Sequence, residues 1–546
     1  MRNSLFVCVL LFLISSCDNK IKVDAVYFNG HVFTVDSVFS IMEAFAIKDG
    51  KFIAIGTSQE ILAKYDSKNL IDLKQRQVYP GFIDAHCHFM GYANDLYKCQ
   101  LVGTKSFNEV LQKIIQYDRS KNPSFIYGRG WDQNDWEIKE FPNNGELNAE
   151  FPNKPVFLKR IDGHAVLVNA AFLNLADSIL KFYKNSAFIE TKNGLPTGIL
   201  FDNAMDAVEK LIPALSNIEI ISEVTKAQSD CIKLGLTSLG DAGLMPTQIE
   251  LIDSLQKTGL LKLRIYGMVS ATEENLEYLE NKGKIKTPYL NVQSLKAYAD
   301  GALGSRGARL KTDYSDKPHH CGSMNISADQ LSKYALWAYQ HNFQMNTHAI
   351  GDSGNAFVLK VYSEILKEKN DLRWRIEHAQ VIDLMDINDF NTYSIIPSVQ
   401  PTHATSDMPW AIQRLGASRM FGAYAYQSLL KQNGWLPLGT DFPVEYLNPE
   451  YTFFAAVGRR DEHEKPDSGF QKEESLLREQ ALRGMTIWAA KAAFEEQEKG
   501  SIETGKYADF IIFEEDFMKD ELRKLRNATP QMTIINGEIL YRKDKN

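Results

Sequence analysis

Pro80-Gly81-Phe82-Ile83-Asp84-Ala85-His86-Cys87-His88 reads as a short apolar strand that stops on His-x-His. Side chains alternate along a strand, so His86 and His88 share one face and Cys87 takes the other. Two imidazoles on one face at a strand end suit a zinc-like cation. A lone His-x-His is also met as two satisfied core histidines, so the rest of the chain has to decide.

Seven further apolar runs follow, at 236–240, 263–269, 294–298, 343–347, 373–377, 395–399 and 435–439. Most are succeeded by a polar residue and a helix-like stretch. With 81–85 they make eight strands alternating with helices, which predicts an α/β fold built on a (β/α)₈, TIM-like barrel over residues 80–495. Residues 89–229 are too long for one crossover and predict an inserted lobe at about 90–230. At both chain ends the pattern changes to short apolar segments broken by turns, including one around Asn536-Gly537. Neither end is large enough to fold alone, so residues 22–79 and 496–545 are expected to pair into one small composite β-sandwich.

The later strands end on chemistry too. Asn346-Thr347-His348, Ile376-Glu377-His378 and Leu438-Gly439-Thr440-Asp441 each close an apolar run. His378 follows His348 by 30 residues and Asp441 follows His378 by 63. A βα unit takes about 30 residues, so these are steps of one and two units. All of these side chains then fall on the C-terminal rim, where barrel enzymes keep their active sites. Lys296 lies 52 residues ahead of His348 and points to the same mouth. A lysine there is costly to bury unless paired or chemically altered. A carbamate formed with CO₂ would turn it into a bridging carboxylate; a plain salt bridge to Asp300 is the other reading.

The ordered set His-x-His, Lys, His, His, Asp resembles the binuclear amidohydrolase superfamily. Gly128-Arg129-Gly130-Trp131-Asp132, Asp300-Gly301-Ala302-Leu303-Gly304-Ser305-Arg306 and the string from Gly500 to Asp509 are similar to its N-substituted formamide deformylase-like branch, amidohydrolase family 3. The resemblance spans nearly the whole chain. It implies two divalent metal ions, one on His86, His88 and Asp441 and one on His348 and His378, with carbamylated Lys296 between them. It implies further that a metal-bridged hydroxide hydrolyses a non-peptide C–N bond of an N-acyl or N-formyl amine or related amide, Asp441 moving the proton. Nitrogen and oxygen donors favour zinc, although iron, manganese and cobalt are compatible.

Substrate-binding candidates are His164, His403, Arg306 (as a carboxylate clamp) and Trp131, the last competing with plain core packing together with Trp136. An esterase or lactonase on the same site is an alternative activity, and a lipid-anchored binding protein without turnover is an alternative class. Intact Asp441 speaks against the latter, because binding alone needs no general base.

A net charge of −8 gives no electrostatic footprint for nucleic acid. The first 16 residues have a basic start, a short apolar run and small residues ahead of Cys17, which resembles a bacterial lipoprotein signal. That predicts export and membrane anchoring through lipid on Cys17, with an ordinary secretory signal as the alternative. Self-assembly into a homo-oligomer is left open. Cys87, Cys99, Cys231 and Cys321 show no metal-site spacing, and no disulfide pairing is deducible.

Overall fold

A computed structural model describes residues 20–543 other than 162, 185 and 187. The expected leader and Cys17 lie outside the described residues. Those residues form two compact units, one of residues 20–88 with 230–543 and the other of residues 89–229. No helix among them is long and apolar enough to cross a membrane.

In the first unit the strands β1 (Phe82–Cys87), β2 (Leu236–Leu244), β3 (Arg264–Ser270), β4 (Leu290–Tyr298), β5 (Gln344–Ala349), β6 (Arg375–His378) and β7 (Ile396–Ser398) pair in that order, all in parallel. The eighth stave predicted at 435–439 is present but is not a regular strand. One parallel bridge joins Leu438 to Val399. On its other side Ala85 N donates to Leu438 O at 3.1 Å and Asp441 N donates to His86 O at 2.8 Å. The barrel is therefore nearly closed. The stave runs close against β1: a Cβ on Gly439 would sit 2.7 Å from His86 N and 2.8 Å from His86 O, so only glycine fits here.

The helices between the staves follow from local sequence. Ser327 caps Ala328–Gln340 by accepting from Gln330 N, and that helix buries Leu331, Tyr334, Ala335 and Ala338 at helical spacing.

The two chain ends build the expected composite. Phe510–Phe513 pairs antiparallel with Gln77–Pro80, which runs parallel to His31–Phe33 on its other side. Met532–Ile535 and Glu538–Arg542 extend this sheet through a turn with positive φ at both Asn536 and Gly537. A four-stranded sheet from residues 25–72 supplies the opposing layer. Tyr27, Phe45, Phe52 and Phe510 pack between them with ring centroids 4.9 to 5.9 Å apart. A buried ion pair ties this sandwich to the barrel. Arg264 of β3 donates to both oxygens of Asp509 at 2.6 and 2.8 Å and lies over the Tyr507 ring at 3.9 Å.

The second unit centres on a mixed six-stranded sheet spanning Cys99 to Phe201. Helix Phe107–Lys121, capped by Ser106, packs Val110, Ile114 and Tyr117 into its core.

Candidate metal centre

The polar side chains gather where the barrel strands end. His86 and His88 stand at the end of β1, Lys296 near the end of β4, His348 near the end of β5, His378 at the end of β6, and Asp441 just past the eighth stave. Strand alternation keeps Arg375 and Glu377 on one face of β6, where they pair at 2.9 Å. His378 would fall on the other face, but its φ of 74° breaks the alternation and turns it over the same mouth. Asp441 likewise has a φ of 64°. Two such conformations in non-glycine residues are strain held by the surrounding structure, as functional sites often hold it.

Imidazole rings converge in a chain: His88 to His86 at 5.5 Å, His86 to His378 at 4.9 Å, His378 to His348 at 4.6 Å, and His378 to His403 at 5.7 Å between centroids. Two sets of donor atoms lie within 4.8 Å of one another, His86 with His88 and Asp441, and His378 with His403 and Asp441. Asp441 Oδ1 is 3.2 Å from His88 Nε2, yet it makes no aligned hydrogen bond. His348 Nε2 and His403 Nε2 are also buried without a hydrogen-bond partner. Orphaned lone pairs at one spot are costly, and donor atoms facing a common point are what a cation site requires. The residues therefore fit a cation site.

Electrostatics agree. Burial, with Lys296 adding to it, brings His86 down to about 4 and His348 down to about 3. Burial and the neighbouring His348 hold His378 well below the ordinary imidazole value. These three are neutral at pH 7 and can donate lone pairs. Burial opposes charge on Asp441 and His88, but each overcomes it through the other: Asp441 is lowered and His88 raised. Lys296 is buried, 3.3 Å from His86 Nε2, and burial lowers it to about 8. It is not salt-bridged to Asp300. That carboxylate instead accepts the backbone N–H groups of Arg309, Ile350 and Gly351 at 2.8, 3.0 and 2.9 Å.

A supporting layer fixes the rings. His86 Nδ1 meets Glu377 Oε2 at 2.6 Å, His378 Nδ1 meets Gln400 Oε1 at 2.8 Å, and His88 Nδ1 meets Ala242 O at 2.9 Å. The outer nitrogens are thereby committed, leaving Nε2 free to ligate. Burial disfavours charge on Glu377, but Arg375, His86 and Lys296 outweigh it and hold the carboxyl down to about 2. Asp84, lifted to about 7 by burial, accepts from Thr440 Oγ1 at 2.6 Å and locks β1 to the eighth stave. Sequence reading passed over Glu377, Gln400 and Asp84. An acidic residue inside a buried strand was the available signal, since it has to be paired.

Above the centre lies a cavity of about 410 Å³ walled by Tyr298, Leu303, Ile350, Trp410, Asp407 and Glu445 beside the site residues. Asp407 Oδ2 accepts from Gln380 at 2.9 Å and Tyr424 at 2.8 Å, and burial lifts the group to about 6.

The substrate-binding candidates separate. His403 lines this cavity and stands 3.6 Å from Asp441 Oδ2, among the cation-competent donors. Arg306 does not line it and is committed to Asp316 at 2.9 and 2.8 Å. In the second unit, Trp131 is 1% exposed, donates to Leu158 O and packs with Trp136 in the core. His164 is exposed there and pairs with Asp202 at 2.8 Å. The four cysteines are free.

Residues 69–541 match the Amidohydrolase family. A putative amidohydrolase of Bacillus subtilis, YtcJ, is 30% identical over 95% of this chain and 99% of its own length. The N-substituted formamide deformylase of Arthrobacter pascens is 23% identical over 95% of this chain and 98% of its own. Among solved structures, an uncharacterized metal-dependent hydrolase from Pyrococcus furiosus superposes with a TM-score of 0.78 at 26% identity, over 91% of this chain and all of its own.

Proposed function

Because this chain belongs to amidohydrolase family 3, we propose that it is a metal-dependent hydrolase of a non-peptide C–N bond, in an N-acyl or N-formyl amine or a related amide. The observation that carries this is the convergence of imidazole nitrogens, with His348 Nε2 and His403 Nε2 buried and unpartnered, and Asp441 at the strand ends. The similarity to a formamide deformylase supports the bond type.

His86, His88 and Asp441 would hold one cation, and His378, with His348 and His403 beside it, the other. Zinc suits these donors. The chemistry such cations supply is Lewis acidity at the scissile carbonyl and a lowered pKa for water. Asp441, ionised and at the meeting point of both donor sets, is placed to take a proton from the attacking water and return it to the leaving nitrogen. Lys296 has an amine made less basic by burial. It would react with CO₂ through its neutral form, releasing one proton and gaining an N–C bond, to give an anionic carbamate where an ammonium would repel cations. Glu377 keeps the tautomer and angle of His86. Trp410, Leu303 and Tyr298 supply an apolar wall that displaces water from the substrate.

The test is metal content of protein purified without chelator, alongside His86→Ala, Lys296→Ala and Asp441→Asn variants assayed on formamides. Two cations per chain are expected, falling in the first two variants, with turnover lost in Asp441→Asn. No metal after reconstitution with zinc and bicarbonate, or unchanged turnover in Asp441→Asn, overturns the reading. We further propose that the chain is exported through its leader and held by lipid on Cys17; fractionation of a Cys17→Ala variant, remaining with membranes, would refute the anchor.

A further inference from the structure

Glu445 lines both the cavity over the metal centre and a second one of about 330 Å³, whose walls include Thr402, Tyr446, Tyr451, Asp461 and Glu462. Apart from Lys296 beside the metal ligands, no lysine or arginine lines either space. The walls are acidic and aromatic instead. Asp407 uses only Oδ2 for its two hydrogen bonds, and Glu445 uses only Oε1, on Ser406 Oγ at 2.5 Å. Each keeps a carboxylate oxygen uncommitted. The rings of Tyr446 and Tyr451, with centroids 5.5 Å apart, both line the second cavity. Thr402 is 3% exposed, lines that cavity, and has a buried Oγ1 with no hydrogen-bond partner. An unanswered hydroxyl beside carboxylates and ring faces suits an N–H-bearing cation, which donates to oxygens and is attracted to aromatic faces. The basic residue that could have held a substrate carboxylate, Arg306, is committed elsewhere.

We propose that the substrate carries a cationic group, an ammonium or guanidinium, on an arm remote from the scissile amide, and that this arm runs along Asp407 and Glu445 into the Thr402 and Tyr446 cavity. This deepens the hydrolase reading and rests on it, since it places the scissile bond at the metal centre.

The experiment compares three formamides with the same five-methylene arm, derived from 1,5-diaminopentane, hexylamine and 6-aminohexanoate, which end in ammonium, methyl and carboxylate. The expected order of kcat/KM is ammonium, methyl, carboxylate. Ammonium should exceed methyl by about tenfold, the effect of roughly 1.4 kcal/mol, and that ratio should shrink as salt is raised. Within Glu445→Gln and within Asp407→Asn the same ratio should move towards one; reading it inside each variant cancels any general loss of activity. A methyl substrate turned over as well as the ammonium one refutes the cationic arm and leaves the hydrolase standing. If no formamide or other amide is hydrolysed, the hydrolase reading fails. Calorimetry with pentylammonium against 1-pentanol then decides the acidic wall separately. Tighter binding of pentylammonium, weakened in Glu445→Gln, supports the wall, and equal binding refutes it.

Discussion

Replacing Glu377 by Gln asks whether the site depends on a buried anion. Glu377 is fully buried, meets His86 Nδ1 at 2.6 Å and pairs with Arg375 Nε at 2.9 Å. Gln keeps the shape but carries no charge and has a single acceptor oxygen. Arg375 Nε donates to Asn346 Oδ1 and meets Glu377 as an ion pair, so the amide either keeps its oxygen on His86 or turns its N–H towards it. If it turns, the His86 Nδ1 proton has no acceptor and the ring can tip or change tautomer; removing such a partner typically weakens a metal site 10- to 100-fold, or about 1.4–2.7 kcal/mol. In either orientation Arg375, a guanidinium that is 1% exposed, is left without its counter-charge. Breaking a buried pair on one side costs about 3–5 kcal/mol, reduced here because Arg375 also donates to Asn346 Oδ1 at 3.0 Å. The expected result is zinc affinity down by at least about tenfold, measured by competition with a chromogenic chelator, with His86→Ala as the lower bound. Urea unfolding of the metal-free protein should move to lower midpoint as well. A variant that keeps wild-type affinity within about twofold, while His86→Ala loses it, refutes the idea that Glu377 sets His86 for ligation.

Glu450, in helix Pro449–Gly458, has both carboxyl oxygens buried and unpartnered, and burial with the nearby charge of Glu515 pushes it up to about 8. The folded chain thus holds a proton that the unfolded chain releases near the ordinary carboxylate value. Its contribution to stability is fully present below that value and is lost as pH rises towards 8, at up to about 1.4 kcal/mol per unit. Urea unfolding between pH 5 and 8.5 should show Glu450→Gln losing less stability than wild type as pH rises, and parallel curves would refute this. Asp509→Ala strands Arg264, which is 2% exposed, and should cost about 3–5 kcal/mol in unfolding free energy. An Arg264→Leu, Asp509→Leu double variant should recover much of that; a loss under about 1 kcal/mol for the single change contradicts the assignment.

The parts of this molecule that were legible in advance are those written locally. Runs such as Phe82–Cys87 and Arg264–Ser270 are largely apolar and short, and their spacing set the barrel. The composite sandwich was legible because neither end could bury its own face. Relations between distant staves were not legible. His86 and Glu377 are 291 residues apart, and nothing near either one announces the other. His403 was visible as a polar residue after the seventh strand, but only the fold shows it beside Asp441. The eighth stave was predicted as a strand, and it joins the seventh by a single bridge between Leu438 and Val399. The string ending in Asp509, read only as a family resemblance, places Asp509 on Arg264.

The sheet shared by the two chain ends has a consequence for how the protein is made. Tyr79, whose hydroxyl accepts from Phe517 N, lies 438 residues ahead of that partner. The strand Gln77–Pro80 emerges from the ribosome with one edge unmatched until Phe510–Phe513 is synthesised. At about 5–20 residues per second that wait lasts roughly 20–90 s. During it the nascent chain presents a strand edge open to pairing with another chain. A chain stopped short of Phe510 never closes that edge, and early termination should yield aggregate in place of a slightly shorter enzyme.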